Sequence, residues 1–383
     1  MSKDNRHVKI VCTLGPASSS PQVMEKMLKA GMNIARLNLA HGTLEEHSQL
    51  ISKVRSLSQK LKLPLGVLLD LPGLKHRRGD IKSVFGQHLD FAFSQNADFI
   101  ALSFISSVRQ VREVKQLLRN MKADIPVIVK MEEARALEES GALLDAGEGI
   151  MVARGDLALD ISIEKVPTAQ KKLITEANRR GKPVITATQM LESMVRSASP
   201  TRAEATDVAN AVLDGSDALM LSEETAIGNY PVAAVEMMAK IALETETMLP
   251  YDQVLRESGL IFLPEADDAT ARAACQIAHQ INAKAIVAFT TGGTTALRVS
   301  KYRPRQPILA VTPSDAVMRR LSIAWGVFPL KKAEYMDLEA VFEIAREVVM
   351  ETGIARKGDL VVITAGLPLN VTGSTNLVKV QSV

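Results

Sequence analysis

Residues 149–188 read GIMVARGDLALDISIEKVPTAQKKLITEANRRGKPVITAT and contain a short apolar run, a longer amphipathic stretch and a second apolar run. The apolar runs, residues 149–153 and 183–188, have the length and side chains of buried strands, and residues 165–180, with Pro167 near their start, have helical spacing. This order predicts two parallel strands joined by a crossover helix. It is the expected repeating unit of the fold.

The same unit recurs through the first two thirds of the chain. Eight apolar runs fit strands, at residues 9–14, 34–39, 66–71, 99–104, 126–131, 149–153, 183–188 and 218–222. Eight such units favour a closed (β/α)8 TIM barrel over residues 1–247, because an open sheet seldom needs so many similar repeats. An open sheet is the alternative.

The pattern changes after Thr247. Residues 249–264 carry two prolines and no clear period, which is typical of a boundary between domains. Residues 248–383 then predict a smaller open-sheet α/β domain. Its strands are expected at residues 285–290, 308–312, 359–364 and 377–383, and its helices at 269–281, 294–302, 317–324 and 338–352.

Composition excludes several classes of protein. The 46 Lys and Arg residues against 43 Asp and Glu give a net charge of only +3 in 383 residues, so no nucleic-acid partner is expected. No apolar run approaches the ~18 residues of a membrane span, and residues 1–7 are polar where a signal peptide is apolar. Cys12 and Cys275 lie far apart and indicate reduced thiols. A soluble cytoplasmic protein is expected, with no membrane partner.

Polar residues follow nearly every predicted barrel strand, at the end where barrels carry their functional groups. They are Arg36, Asn38, His41, Asp70, Ser103, Lys130, Glu132, Arg154, Gly155, Asp156, Thr186, Thr188, Gln189, Ser222 and Glu224. Each one alone has a structural explanation, such as a helix cap or a surface charge. Together they favour a functional rim, because a barrel has no packing reason to collect these charges on one edge.

Glu132 and Asp156 end neighbouring strands, so their carboxylates are expected to converge on one divalent ion. Two oxygen ligands, with the other positions left to water and substrate, are typical of Mg²⁺. Lys130 and Arg36 beside such an ion indicate a strongly anionic substrate. The combination favours phosphoryl transfer, with a phosphorylated small molecule that bears a carboxylate as the substrate class.

Six long segments resemble the pyruvate kinase family. They are KIVCTLGPASSS (9–20), AGMNIARLNLAHG (30–42), FIALSF (99–104), GIMVARGDL (149–157), GKPVITATQMLESM (181–194) and PTRAEATDVANAVLDGSDALMLSEETAIGNYP (200–231). FTTGGTTALRVSKYRP (289–304) and AVTP (310–313) resemble the family's effector domain. The resemblance implies a homotetrameric, allosteric phosphotransferase of glycolysis that converts phosphoenolpyruvate and ADP into pyruvate and ATP with Mg²⁺ or Mn²⁺.

The resemblance also implies a role for each matching residue. Glu132 and Asp156 would bind the metal, and Gly155, Asp156 and Thr188 would bind the substrate, with Thr188 near the proton path to the enolate. The implied catalytic residues are Arg36, Arg77, Lys130 and Thr188. The implied nucleotide-binding residues are Pro16, Asn38 and His41.

The segment DLPGLKHRRG (70–79) departs from the family at its potassium site. Ala40 and Leu71 stand where the family has Ser and Thr ligands, which leaves Asn38 and Asp70. Lys75 replaces a Glu, as in a branch of the family that needs no K⁺, and its ammonium is expected to take the place of the monovalent cation. A simply solvated Lys75 is the alternative.

A larger departure lies between the third and fourth strands. Only 27 residues separate Leu71 from Phe99, including a helical stretch at 86–95, whereas the family inserts a β-rich lid (B) domain there. With the junction near residues 79–84, no lid fits. Because the lid covers the nucleotide and excludes water, phosphoryl transfer is expected to be impaired. Alternatives are Mg²⁺-dependent enolate chemistry, as a lyase, a decarboxylase or proton exchange on pyruvate-like acids, and a non-catalytic regulatory subunit.

In the second domain, a strand-to-helix loop contains Thr290, Thr291, Gly292, Gly293, Thr294 and Thr295. Backbone N–H groups and hydroxyls at a helix N-terminus are typical of anion sites, and the resemblance places the family's effector phosphate here. A sugar phosphate or nucleotide monophosphate is expected. Fructose 1,6-bisphosphate is not, because Thr291 replaces a Lys and residues 366–376 lack the Trp and Arg of that pocket. An ordinary turn is the alternative.

Overall fold

The computed structural model describes residues 5–73, 80–257, 265–371 and 373–383. The chain divides into two compact units, the first of which is Val8–Thr247. The second unit, Met248–Val383, also includes the N-terminal residues through His7. His7 stacks on Trp325 of that unit, with ring centroids 4.4 Å apart. Residues 5–7 therefore lie with the second unit.

Eight parallel strands in the first unit pair in chain order, and the eighth pairs with the first to close a barrel. They are β1 Lys9–Thr13, β2 Ile34–Asn38, β3 Gly66–Leu71, β4 Phe99–Leu102, β5 Val127–Met131, β6 Gly149–Ala153, β7 Val184–Ala187 and β8 Ala218–Leu221. The (β/α)8 prediction is confirmed, and the open sheet is excluded. Strands β4 and β7 end before their predicted limits because Phe104 and Thr188 have φ angles of +56° and +67°, which a strand cannot accommodate.

Helices connect these strands. They are α1 Pro21–Ala30, α2 Leu44–Leu61, α3 Ile81–Ser94, α4 Val108–Asn120, α5 Ala134–Glu138, α6 Ser140–Ala146, α7 Arg154–Asp160, α8 Val166–Arg180, α9 Arg202–Leu213, α10 Glu223–Ala226 and α11 Pro231–Glu246. Helix α3 begins five residues earlier than predicted, because the Asp80 side chain accepts a hydrogen bond from the Ser83 amide and caps the helix. Only residues 72–80 therefore join β3 to α3.

The second unit contains a five-stranded sheet between helices. Its elements are α12 Tyr251–Glu257, α13 Ala266–Gln280, β9 Ile286–Phe289, α14 Thr294–Lys301, β10 Ile308–Thr312, α15 Asp315–Leu321, β11 Val327–Lys331, α16 Leu338–Glu351, β12 Leu360–Gly366 and β13 Thr375–Ser382. The strand order is β11, β10, β9, β12, β13, and β13 alone is antiparallel. This confirms the predicted open-sheet domain.

Two elements of the second unit were not expected. Helix α12 lies in the stretch predicted to be irregular, and β11 contains Pro329. Because β11 is an edge strand, its proline does not interrupt the sheet. In the described parts of the chain, no helix is both long and apolar enough to cross a membrane.

Candidate active site

A buried ion pair joins the carboxyl ends of β2 and β3. Arg36 donates to Asp70 Oδ2 through Nε at 3.0 Å and through Nη2 at 2.7 Å. Its Nη1 donates to Thr13 Oγ1 at 2.8 Å, and the Thr13 hydroxyl donates to the Leu221 carbonyl at 2.9 Å. The three bonds hold the guanidinium in a fixed orientation at the rim. Thr13 was not predicted as a site residue, although its polar side chain ends the apolar run of β1.

Lys130 extends this network to the next strand ends. Its ammonium lies 2.7 Å from Glu132 Oε1 and 3.2 Å from Asp70 Oδ1, and it donates to Ser103 Oγ at 2.8 Å. The other Glu132 oxygen accepts the Phe104 amide at 2.6 Å. The structure thus brings the predicted residues Arg36, Asp70, Lys130 and Glu132 into one continuous network.

The pKa values of the three titratable groups in this network shift in different directions. Burial acts most strongly on Asp70, yet Arg36 and Lys130 outweigh it and lower the pKa of that carboxyl. Burial likewise opposes the charge of Lys130, but Asp70 and Glu132 raise the pKa of its ammonium. At Glu132, burial prevails over Lys130 and raises the carboxyl pKa. The surroundings therefore favour the charged form of Asp70 and disfavour the charged form of Glu132.

Asp156, the second predicted metal ligand, lies in the first turn of α7, directly after β6. Its half-buried carboxylate makes no hydrogen bond or ion pair with the described residues. β6 pairs with β5, so Asp156 and Glu132 follow neighbouring strands. Among the described residues, no group of three or more His, Cys, Asp or Glu side chains is arranged to hold a metal ion by itself. Two carboxylates at neighbouring strand ends fit Mg²⁺, which typically takes one or two protein carboxylates and fills its other positions with water and substrate oxygens.

Thr188 and Gly155 lie against each other at the ends of β7 and β6. The Gly155 amide donates to Thr188 Oγ1 at 2.8 Å, and that hydroxyl donates to the Ala187 carbonyl at 2.7 Å. Thr188 and Gln189 both have positive φ angles, +67° and +55°. Such a conformation is unfavourable for a β-branched residue and places Thr188 in a fixed turn at the rim.

The predicted nucleotide-binding residues are more exposed, and two further predicted residues fall outside the described part of the chain. Pro16 starts a short 3-10 turn after β1, Asn38 ends β2 and accepts the Ala40 amide at 3.2 Å, and His41 is exposed. These three lie at the ends of β1 and β2. Lys75 and Arg77 lie outside the described residues, so their predicted roles rest on sequence.

In the second unit, the predicted effector loop borders a small open hollow. Thr290 Oγ1 accepts the Gly293 amide at 2.9 Å, and Gly293, with φ +94°, precedes the first turn of α14. The loop's Thr291, Gly292, Thr294 and Thr295 line the hollow, with Tyr335 and Asn370 opposite. The described lining residues include no Lys or Arg. Burial raises the pKa of Tyr335 despite its hydrogen bond to Thr291, so the phenol stays neutral.

Fold and site together define a protein of the (β/α)8-barrel class whose rim combines two buried cations, Arg36 and Lys130, with carboxylates from neighbouring strand ends. Comparison with known proteins gives the family. The chain matches "Pyruvate kinase, barrel domain" over residues 5–89 and 85–235, and "Pyruvate kinase, alpha/beta domain" over residues 268–381. The chain belongs to the pyruvate kinase family.

Similar relatives include the pyruvate kinases of Staphylococcus aureus strains USA300, NCTC 8325 / PS 47 and COL. Each is 36% identical over 471 residues, covering 99% of this chain and 80% of the relative. Because this chain has 383 residues, at least 88 aligned positions have no residue here. The barrel match breaks near residues 85–89, close to the short connection between β3 and α3. The chain lacks the family's lid domain.

Proposed function

We propose that this protein is a lidless pyruvate kinase that retains the enolate chemistry of the barrel and transfers phosphate to ADP slowly. One observation carries the proposal. The buried network of Arg36, Asp70, Lys130 and Glu132 is intact, whereas β3 and α3 are joined by residues 72–80 alone. The groups that act on pyruvate and phosphate are retained, and the domain that would enclose the nucleotide is missing.

Different rim residues would bind different parts of the substrate. Arg36 and Lys130 would stabilise negative charge on the phosphoryl group, because both are held at the rim by Asp70. Thr188 and the Gly155 amide would take the pyruvate carboxylate by exchanging their mutual hydrogen bond for bonds to it. The Thr188 hydroxyl would then lie close to the enolate carbon, where it is placed to relay a proton to that carbon.

Glu132 and Asp156 would hold Mg²⁺ or Mn²⁺. When bound, the ion neutralises charge on the enolate and phosphoryl oxygens. Glu132 is already oriented by the Phe104 amide, so only its Lys130 contact needs to change. Lys130 released from Glu132 would turn its ammonium towards the substrate while keeping Ser103 and Asp70 as partners.

Transfer to ADP requires more than this rim. The proposed nucleotide residues Pro16 and His41 are exposed, and Asn38 is only half-buried. Accurate positioning of a second substrate contributes several kcal/mol to a bimolecular step, and each ~1.4 kcal/mol lost slows it about tenfold. ADP should therefore bind weakly, and transfer should be slower by orders of magnitude than in a lidded relative.

Two assays on one preparation test the proposal. Loss of the pyruvate methyl proton signal in D₂O with Mg²⁺ measures enolate formation, and a coupled assay measures ADP-dependent pyruvate formation from phosphoenolpyruvate. We expect measurable exchange, together with slow transfer and a high ADP KM. Lys130→Met should abolish the exchange, whereas Lys115→Met, which removes a surface partner of Glu148, should not.

Each other outcome contradicts a named part of the proposal. Rapid transfer with a low ADP KM would show that the lid is not needed. Absence of both activities would leave a regulatory subunit as the better interpretation. Exchange without any transfer would favour the alternative of enolate chemistry on pyruvate-like acids.

The loop at residues 290–295 is proposed to bind the phosphate of a sugar phosphate or nucleotide monophosphate. The first amides of α14 and the threonine hydroxyls provide neutral donors to a phosphate. Without a Lys or Arg in the described lining, affinity should be modest and depend on the whole ligand.

A further inference from the structure

Arg154 precedes Gly155 and Asp156 in the chain, but its side chain contacts the turn after β7. Nη2 donates to the carbonyls of Thr188 at 2.7 Å and Gln189 at 3.3 Å. Nη1 pairs with both oxygens of Asp207 on α9, at 2.8 and 2.7 Å. The Arg154 side chain is nine-tenths buried. One side chain thus connects the start of α7, helix α9 and the turn that carries Thr188.

This turn needs external support. Thr188 and Gln189 are consecutive non-glycine residues in the left-handed region, a conformation that persists only where surrounding contacts over-determine it. Arg154 binds both of their carbonyls from one side. The buried Glu224 accepts the Leu191 amide, two residues after the turn, at 3.0 Å and the Ser222 amide at 2.7 Å. Arg154 therefore binds the turn itself, and Glu224 binds the segment that follows it.

The geometry points to Arg154 as a positioning residue that, aligned by Asp207, holds the Thr188 turn in its left-handed conformation and so keeps the Thr188 hydroxyl against the Gly155 amide. The guanidinium suits this task because one terminal nitrogen, Nη2, binds the two neighbouring carbonyls while the other, Nη1, is held in the same plane by the Asp207 carboxylate. A lysine would keep the charge but not the fork. The inference rests on the proposed role of Thr188 in the exchange of pyruvate methyl protons with solvent.

A double-mutant cycle tests the inference. Arg154→Met should slow pyruvate proton exchange about 100-fold, the cost of an active group misplaced by ~1 Å, and Arg154→Lys should lie between it and the wild type. Combining Arg154→Met with Thr188→Val should cost no more than Thr188→Val alone, because the arginine acts through that hydroxyl. Losses that multiply would overturn the assignment, as would Arg154→Met with exchange within twofold of wild type.

Arg180→Met is the matched control. Arg180 pairs with Asp145 at 2.9 Å between α8 and α6, and it contacts no proposed site residue. Its loss should leave exchange unchanged in both the wild-type and the Thr188→Val background. Asp207→Asn, which keeps an acceptor beside Arg154, should reproduce part of the Arg154→Lys effect.

A crystal structure of Arg154→Met, or of Arg154→Lys if the first does not fold, decides the question without activity. We expect Thr188 or Gln189 to leave the left-handed region and the bond from the Gly155 amide to Thr188 Oγ1 to lengthen beyond 3.5 Å. An unchanged turn would overturn the inference. If the wild type shows neither exchange nor transfer, the proposed function fails, while the structure of the variant still decides the role of Arg154.

Discussion

Asp70→Asn should destabilise the barrel strongly, because Asp70 compensates two buried cations. Its side chain is only 2% exposed, accepts two hydrogen bonds from Arg36, and lies 3.2 Å from Lys130 Nζ. Asparagine keeps the shape and one acceptor but removes the charge. Breaking one partner out of a buried ion pair costs about 3–5 kcal/mol, and the retained acceptor places the expected loss near the lower limit, about 3 kcal/mol.

Denaturant unfolding with two probes measures this loss. Trp325 is the only tryptophan of the chain and lies in the second unit, so its fluorescence follows that unit, whereas far-UV circular dichroism follows both. The dichroism midpoint should fall in Asp70→Asn by an amount equivalent to about 3 kcal/mol. Asp145→Asn, which removes a carboxylate that is 69% exposed, should cost less than ~1 kcal/mol.

The lowered pKa of Asp70 predicts how this loss of stability depends on pH. The folded pKa of Asp70 is lowered, so its stabilising contribution is present above the unfolded pKa of about 3.9 and is lost as the pH falls through the folded value. The stability difference between wild type and Asp70→Asn should therefore be constant near neutral pH and shrink below about pH 4. A difference under 1 kcal/mol at pH 7, or one that does not shrink in acid, would refute the reasoning.

Three further predictions concern ligands. Glu132→Ala and Asp156→Ala should each reduce Mg²⁺-dependent pyruvate exchange at least ~100-fold, and unchanged metal dependence in both would contradict the metal assignment. Activity should be equal in Na⁺, K⁺ or a bulky organic cation at matched ionic strength, because the Lys75 ammonium is proposed to replace the ion; a several-fold requirement for K⁺ would show that it does not. Calorimetry should detect a sugar phosphate or nucleotide monophosphate binding at millimolar concentration or below, and Gly293→Ala should weaken it because the φ of +94° disfavours a side chain. Absence of binding for every such ligand would leave an ordinary turn.

The sequence by itself determined the architecture. Strand runs such as 149–153, separated by amphipathic stretches, predict the barrel because buried parallel strands and their crossover helices each have a local period. It also indicated the functional edge, since polar residues such as Lys130 and Asp156 follow apolar runs. The sequence pattern was less informative at two elements. It placed the start of α3 too late, because the Asp80 cap sets where that helix begins. It also missed the edge strand β11, because Pro329 interrupts the apolar run.

Only the tertiary structure decided which rim residues act together. Arg36 and Asp70 are 34 positions apart, and Thr13 contacts Leu221 across 208 positions because closure of the barrel places β1 beside β8. Likewise, the left-handed turn at Thr188 is stable because Arg154 reaches it from the neighbouring strand end. Periodicity records which face of an element is buried. It does not record which charges from separate elements meet, because that depends on closure of the barrel and on the low-dielectric interior in which each charge must find a partner.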